Sequence, residues 1–246
     1  MSKSIKLFLF LFLSVVSLKD LSSMPQRRRK PAPAPMAGVL PYCKGPNGQV
    51  WFLFGQDISA RSNTWGDFGG EWVKDDGMVL EGCVYTANLA DTAARCVHHA
   101  TMGLFAGSNE ENRINPARGI SFFYDKILSD RKELMNCKTG YSLFFTEVGC
   151  KLLDSLKPLY SHFYNPEYAS YVGFAWVNAS DLLQGLMRRR NKIEVPVANG
   201  WLINADNYFQ DFGNEEIVIN GYLARELSSQ AGYEFINRII QENNQA

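Results

Sequence analysis

Trp65-Gly66-Asp67-Phe68-Gly69-Gly70 reads as a short strand running into a glycine pair, and Asn88 to Gly103 (NLADTAARCVHHATMG) follows it as a capped helix. Asn88 is a helix-capping residue type, and Leu89, Ala93, Val97 and Ala100 recur at three- and four-residue spacing, giving one small-to-apolar face. Gly103 is placed to end that helix near Met102. A strand, a loose stretch over residues 71–86 and an amphipathic helix therefore form the centre of the fold, and the rest of the chain is read outward from them.

Upstream, Ala37–Tyr42 and Val50–Gln56 are apolar runs flanking the turn-forming cluster CKGPNG, the pattern of a hairpin. Downstream, Tyr141–Val148 and Tyr171–Val177 read as strands, Ser180–Met187 as a short helix and Ala224–Gln241 as a terminal one. Glu110 to Lys138, polar and then helical in pattern, reads as an insertion or a helical subdomain. Strands interspersed with helices, with no internal repeat, indicate an α/β (α+β) class. The 246 residues, 46% of them hydrophobic, suit a globular domain with a sizeable core. Equal numbers of basic and acidic side chains, 25 of each, argue against a large nucleic-acid surface, and no specific nucleic-acid binding is expected.

The N-terminus reads differently. Ile5–Leu18 (IKLFLFLFLSVVSL) is a short apolar run behind Lys3 and Lys6, the pattern of a signal peptide or short anchor over residues 1–23, with cleavage expected after Ser17 or Ser23. The basic run Arg27–Lys30 close behind it favours the anchor alternative. Residues 24–35 (MPQRRRKPAPAP) form an extended Pro-Ala spacer, so the domain is expected over 36–246, exported or membrane-tethered through residues 5–18. The cysteines, Cys43, Cys83, Cys96, Cys137 and Cys150, show no CxxC spacing, and the expectation is scattered buried thiols.

In order and content these pieces resemble the Nudix hydrolase family, with its early hairpin, a strand ending in Gly-Gly, then a loop and helix carrying the box GX5EX7REUXEEXGU. The segment WGDFGG is similar to the strand entering the box, Asp91–Arg95 to the run leading to the box arginine, and Thr101–Phe105 to its end. Phe174–Val177 followed by Ser180–Leu183 is similar to a late strand and short helix of that family. The resemblance implies a mixed-sheet α/β/α sandwich with an inserted helical segment. It also implies hydrolysis of a diphosphate linked to another moiety, with Mg²⁺ or Mn²⁺ held by carboxylates.

Those carboxylates are missing. The box-equivalent positions are Ala87, Arg95, Cys96, His99 and Ala100, so all four glutamates are replaced while the arginine persists. In the family the arginine orients a box glutamate, which here is Ala87, so that pairing is expected to be lost. Two readings of Arg95 stay open, a solvated or Asp91-paired helix arginine, or an anchor for the loop over residues 71–88. Cys96 and His99 at i, i+3 have the softness for Zn²⁺ but fall short of three ligands. Asp75, Asp76 and Glu147 are the acids that could have relocated the catalytic set; the blander alternative leaves them solvated. The leading expectation is a protein binding a nucleotide-like or phosphorylated ligand, or another protein, with no cofactor. The alternatives are an atypical active hydrolase using Mg²⁺ or Mn²⁺, and an exported or tethered interaction module.

Overall fold

The computed structural model describes residues 34–45, 48–57, 64–81, 84–136, 139–150, 171–188, 193–196, 199–203, 209–212 and 216–244. The expected signal segment, and the linker up to Pro33, lie outside the described residues, as do Cys83 and Cys137.

The two apolar runs form strands β1 (Met36–Lys44) and β2 (Val50–Asp57), antiparallel with Tyr42 opposite Phe52. The stretch WGDFGG splits into β3 (Thr64–Gly66) and β4 (Phe68–Glu71). A 3₁₀ turn at Lys74–Asp76 follows, then a two-stranded hairpin of β5 (Met78–Glu81) and β6 (Val84–Ala87). Helix α1 (Leu89–Ala100), short α2 (Glu110–Ile114) and α3 (Pro116–Asp130) come next, then β7 (Glu133–Asn136) and β8 (Tyr141–Glu147). Beyond them lie β9 (Tyr171–Asn178), α4 (Ala179–Met187), β10 (Glu194–Pro196), β11 (Asn199–Ile203), β12 (Phe209–Phe212), β13 (Glu216–Ile219), α5 (Gly221–Leu227) and α6 (Gln230–Asn244).

The main sheet runs β10-β13-β3-β2-β1-β8-β7, with β4 added to β1 and β9 to β2. It is mixed, because β1–β8 and β13–β3 are parallel while the other pairs are antiparallel. Side chains alternate across it as a two-residue period requires. Val39, Leu53, Phe144, Phe174 and Trp176 face one side, where α1 and α3 pack. Leu40, Phe52, Phe54, Phe145, Ala175 and Val177 face the other, against α4, α5 and α6. The result is an α/β (α+β) fold of helix, sheet and helix layers.

Several expectations shift at this level. The segment from Glu110 is helical, but α3 buries Phe123 and Ile127 in the same core as α1 and so completes a layer of the domain, and the segment ends in strand β7. The terminal helix is two helices, broken around Ser228 and Ser229, where the Ser229 hydroxyl donates to the Glu226 carbonyl and accepts from the Gly232 N–H. Strands β5, β6, β7 and β10 to β13 were not anticipated. Cys43 and Cys150 are joined in a disulfide, which overturns the expectation of scattered free thiols for that pair. No helix of the described residues is long and apolar enough to cross a membrane.

Candidate functional site

Helix α1 starts where the sequence says it should, with the Asn88 side chain accepting the Asp91 N–H at 3.3 Å. Toward the sheet its buried residues are mostly small, with Ala90, Thr92, Ala93, Ala94, Val97 and Ala100, and His98 is the large side chain among those it buries. Without bulk on that face the helix settles close to the sheet, so close that a Cβ on Gly70 would lie 3.0 Å from Cys96 Sγ. The helix ends by a Schellman pattern, in which Gly103 N–H reaches the His98 carbonyl at 2.9 Å and Met102 N–H the His99 carbonyl at 3.2 Å. The left-handed cap therefore falls on Met102 (φ 49°) as well as on Gly103 (φ 66°), a residue earlier than the glycine alone suggested.

Arg95 leaves α1 toward the loop. Its Nε and Nη2 both donate to the Asp76 carboxylate, Nη2 at 2.9 Å, and Nη2 also donates to the Glu71 carbonyl at 2.9 Å. Asp76 is 2% exposed and receives Thr92 Oγ1 at 2.9 Å and the Val73 N–H at 3.0 Å as well. Burial pushes the Asp76 carboxyl up, but the hydrogen bonds from Arg95, Val73 and Thr92 outweigh it and hold the group below the usual carboxylate range. Trp72 Nε1 donates to the Gly77 carbonyl at 2.9 Å, closing the turn around this pair. Of the two readings of Arg95, the geometry matches the loop anchor. The expected Asp91 pairing is absent; Asp91 feels the Arg95 charge but accepts no bond from it. As expected, position 87, an alanine, offers Arg95 no carboxylate; the arginine pairs with Asp76 instead. The expectation that loop acids are solvated fails for Asp76 and holds for Asp75, which is exposed.

The other box-equivalent positions scatter. Ala87 is half-buried at the end of β6, and Ala100 is 3% exposed, inside the core. Cys96 is half-buried, and burial pushes its thiol up to about 11, leaving it protonated at neutral pH. His99 keeps an exposed edge; enclosure of the remainder, then the Arg95 charge, lowers its pKa. Neither arrangement yields an activated nucleophile. Glu147 is remote from the loop acids. Glu71 pairs with Met36 and Glu147 with Tyr42, six residues along β1, which is roughly 20 Å at strand rise. Among the described residues no three His, Cys, Asp or Glu side chains are grouped to hold a metal ion.

A second polar cluster was not anticipated. The Tyr141 hydroxyl donates to the Asp67 carboxylate, and the Tyr171 hydroxyl donates to the Asp67 carbonyl at 2.9 Å while accepting the Gly69 N–H at 3.4 Å. Gly38 and Gly69 face each other across the β1–β4 ladder beneath it. A Cβ on Gly38 would collide with both the Asp67 carboxyl and the Tyr141 hydroxyl, and one on Gly69 with the hydroxyl. Gly69 of the WGDFGG stretch thus has a packing reason independent of any ligand. The only signal in the sequence was an aspartate inside an otherwise apolar strand. On β4, the side away from β1 is occupied twice over, by Tyr171 at Gly69 and by Arg95 at Glu71, so a sheet edge is covered by side chains.

No family model matches this chain, and no curated protein or solved structure matches it either.

Proposed function

We propose that the chain is a binding protein on a Nudix-like frame, taking a nucleotide-like or phosphorylated ligand or a protein partner, with diphosphate hydrolysis lost. The observation that supports this reading is the commitment of Arg95 and Asp76 to each other. Asp76, the loop acid bound to the helix, spends both carboxylate oxygens on Arg95, Thr92 and the Val73 N–H. A carboxylate so engaged has little left to offer a hard cation, which needs several oxygen ligands. The alternative, an Mg²⁺- or Mn²⁺-dependent hydrolase on relocated acids, would have to draw Asp75 and Glu147 together from separate places.

The test is a panel of nucleoside diphosphate derivatives offered to the full chain with Mg²⁺ and Mn²⁺, read both as thermal shift and as phosphate release. The binding reading expects a ligand-dependent rise in Tm without turnover. Metal-dependent turnover that disappears on Asp75→Asn or Glu147→Gln puts the hydrolase reading first.

The disulfide supports a second reading, that the protein is exported or faces an oxidising compartment, because such bonds persist where thiols are not kept reduced. Mass spectrometry of protein from its native host is expected to find a chain starting after Ser17 or Ser23. An intact Met1 in a soluble cytosolic fraction would overturn it.

A further inference from the structure

Asp67 carries a carboxyl group into the fold at the corner between β3 and β4. The residue as a whole keeps some exposure, but its carboxyl sits under Tyr141 and above the Gly38–Gly69 pair, where no side chain beyond hydrogen would fit. The groups around it are tyrosines and a thiol: Tyr141 from β8, Tyr171 from β9 and Cys96 from α1, with Tyr222 of α5 stacked edge-on against Tyr141 at 5.2 Å. Among the described residues no lysine, arginine or histidine pairs with Asp67, in contrast to Asp76, nine residues further along and gripped by Arg95.

We propose that the Asp67 carboxyl, buried beneath Tyr141 with no cation beside it, is a proton-operated latch, which holds the β3–β4 corner more firmly in mild acid than at neutral pH. A buried carboxyl with no cation beside it is cheaper to keep protonated, and the protonated acid still shares a hydrogen bond with the tyrosine oxygen. Once ionised, it retains the Tyr141 hydroxyl but faces a low-dielectric surround. The corner matters beyond itself, because β4 continues directly to Glu71, whose carbonyl receives Arg95. Loosening the latch therefore slackens the strand on which the loop anchor is built. This inference does not depend on the binding reading.

The direction follows from linkage. Burial raises the Asp67 pKa to about 6, with the Tyr141 and backbone hydrogen bonds opposing, against an unfolded value near 3.8. A folded-state pKa above the unfolded one gives stability that is fully present below about pH 4 and lost as pH rises through about 6. A two-unit gap corresponds to about a hundredfold in the unfolding constant. Asp76 and His98, both with lowered pKa values, push the opposite way in acid, so the latch is read as a difference between variants.

The experiment is denaturant unfolding of the full chain from pH 4.5 to 7.5 for wild type, Asp67→Asn and Tyr141→Phe. The ratio of wild-type to Asp67→Asn unfolding constants is expected to rise about tenfold from pH 5 to 7.5. Tyr141→Phe, which removes a bond favouring the ionised form, should move that rise to higher pH. Parallel wild-type and Asp67→Asn profiles would overturn the proposal. Carboxyl-carbon NMR titration of Asp67 in the wild type decides it even if the variants do not fold, since a midpoint below 4.5 refutes the latch and one near 6 supports it.

Discussion

Arg95 on helix α1 and Asp76 in the preceding turn bind each other through two hydrogen bonds, although they stand 19 residues apart. Between them the chain makes the β5–β6 hairpin and returns, with the Asn88 N–H meeting the Gly77 carbonyl at 3.3 Å. The ion pair thus closes the loop that carries this hairpin.

Removing one partner should therefore cost more than a surface salt bridge would. With Arg95→Ala, Asp76 is left buried and charged with only Thr92 and a backbone N–H, and we expect a loss of about 3 kcal/mol. Asp76→Asn should destabilise as well, since the guanidinium loses its counter-charge. Urea melts of both variants check this, and a loss under about 1 kcal/mol for Arg95→Ala, the level of an exposed pair, would show that the anchor is ornamental. Because the Asp76 pKa is lowered in the fold, its contribution is present above the unfolded value, near 3.8, and disappears as pH falls through the lower folded one. The difference between wild type and Asp76→Asn should shrink accordingly below pH 4.

The glycines beneath Asp67 give a second expectation. Gly38→Ala should destabilise by about 1–3 kcal/mol through overpacking against the Tyr141 hydroxyl and the Asp67 carboxyl. Gly149→Ala, where a Cβ meets nothing within 4 Å, is the control and should stay within about 0.5 kcal/mol. Tyr141→Phe combined with Gly38→Ala should recover part of the loss, because the hydroxyl is one of three obstructing groups, beside the Asp67 carboxyl and the Gly69 Cα. Strictly additive melting shifts would argue that the clash is relieved elsewhere.

What could be read in the sequence follows the range of the forces involved. The β1–β2 hairpin, helix α1 with its Asn88 cap, β8, β9 and α4 were legible, because turn residues and three- to four-residue apolar spacing are local signals. Strands β10 to β13 were not, being only three to five residues each and too short to show a period. At the site, Arg95 was recognisable by position, whereas its partner was not. Asp76 became that partner only because an unanticipated hairpin carried the turn back over α1. Ala100 was legible in one respect, since its spacing with Ala93 and Val97 put it on the apolar face, and it is core; only the box alignment grouped it with Cys96 and His99.

Nor was the disulfide legible, since spacing does not specify connectivity. Cys43 and Cys150 enclose 107 residues of sequence separation. A cross-link of that span restricts the unfolded chain strongly, with about 4.7 kcal/mol expected for a 100-residue loop in the chain-entropy view and 2–5 kcal/mol typical in practice. Reduction with dithiothreitol, or Cys43→Ser with Cys150→Ser, should lower Tm by several degrees. If reduction leaves Tm unchanged while mass spectrometry confirms that the bond has opened, the cross-link adds no stability.

The last expectation concerns the missing glutamates, and the structure changes how it must be posed. Restoring all four, at positions 87, 96, 99 and 100, would include Ala100→Glu, which places a carboxylate where only 3% of the residue is exposed. That change alone should cost several kcal/mol and would mask any gain. Ala87→Glu and His99→Glu fall on half-buried or exposed positions, whereas Cys96→Glu also sets a carboxylate against Gly70 and near Asp67, a cost short of that at Ala100. If the frame is Nudix-like, the triple variant should be less stable than wild type without metal, because carboxylates at close helical spacing repel. It should regain stability with Mg²⁺ or Mn²⁺, because the ions bind only the folded state. Wild type should show no comparable metal-dependent rise in Tm. A triple variant that folds yet ignores both ions would count against the Nudix-like reading of α1. A wild-type rise with Mg²⁺ that vanishes on Asp75→Asn or Glu147→Gln would instead mean that the acids moved and the hydrolase survived.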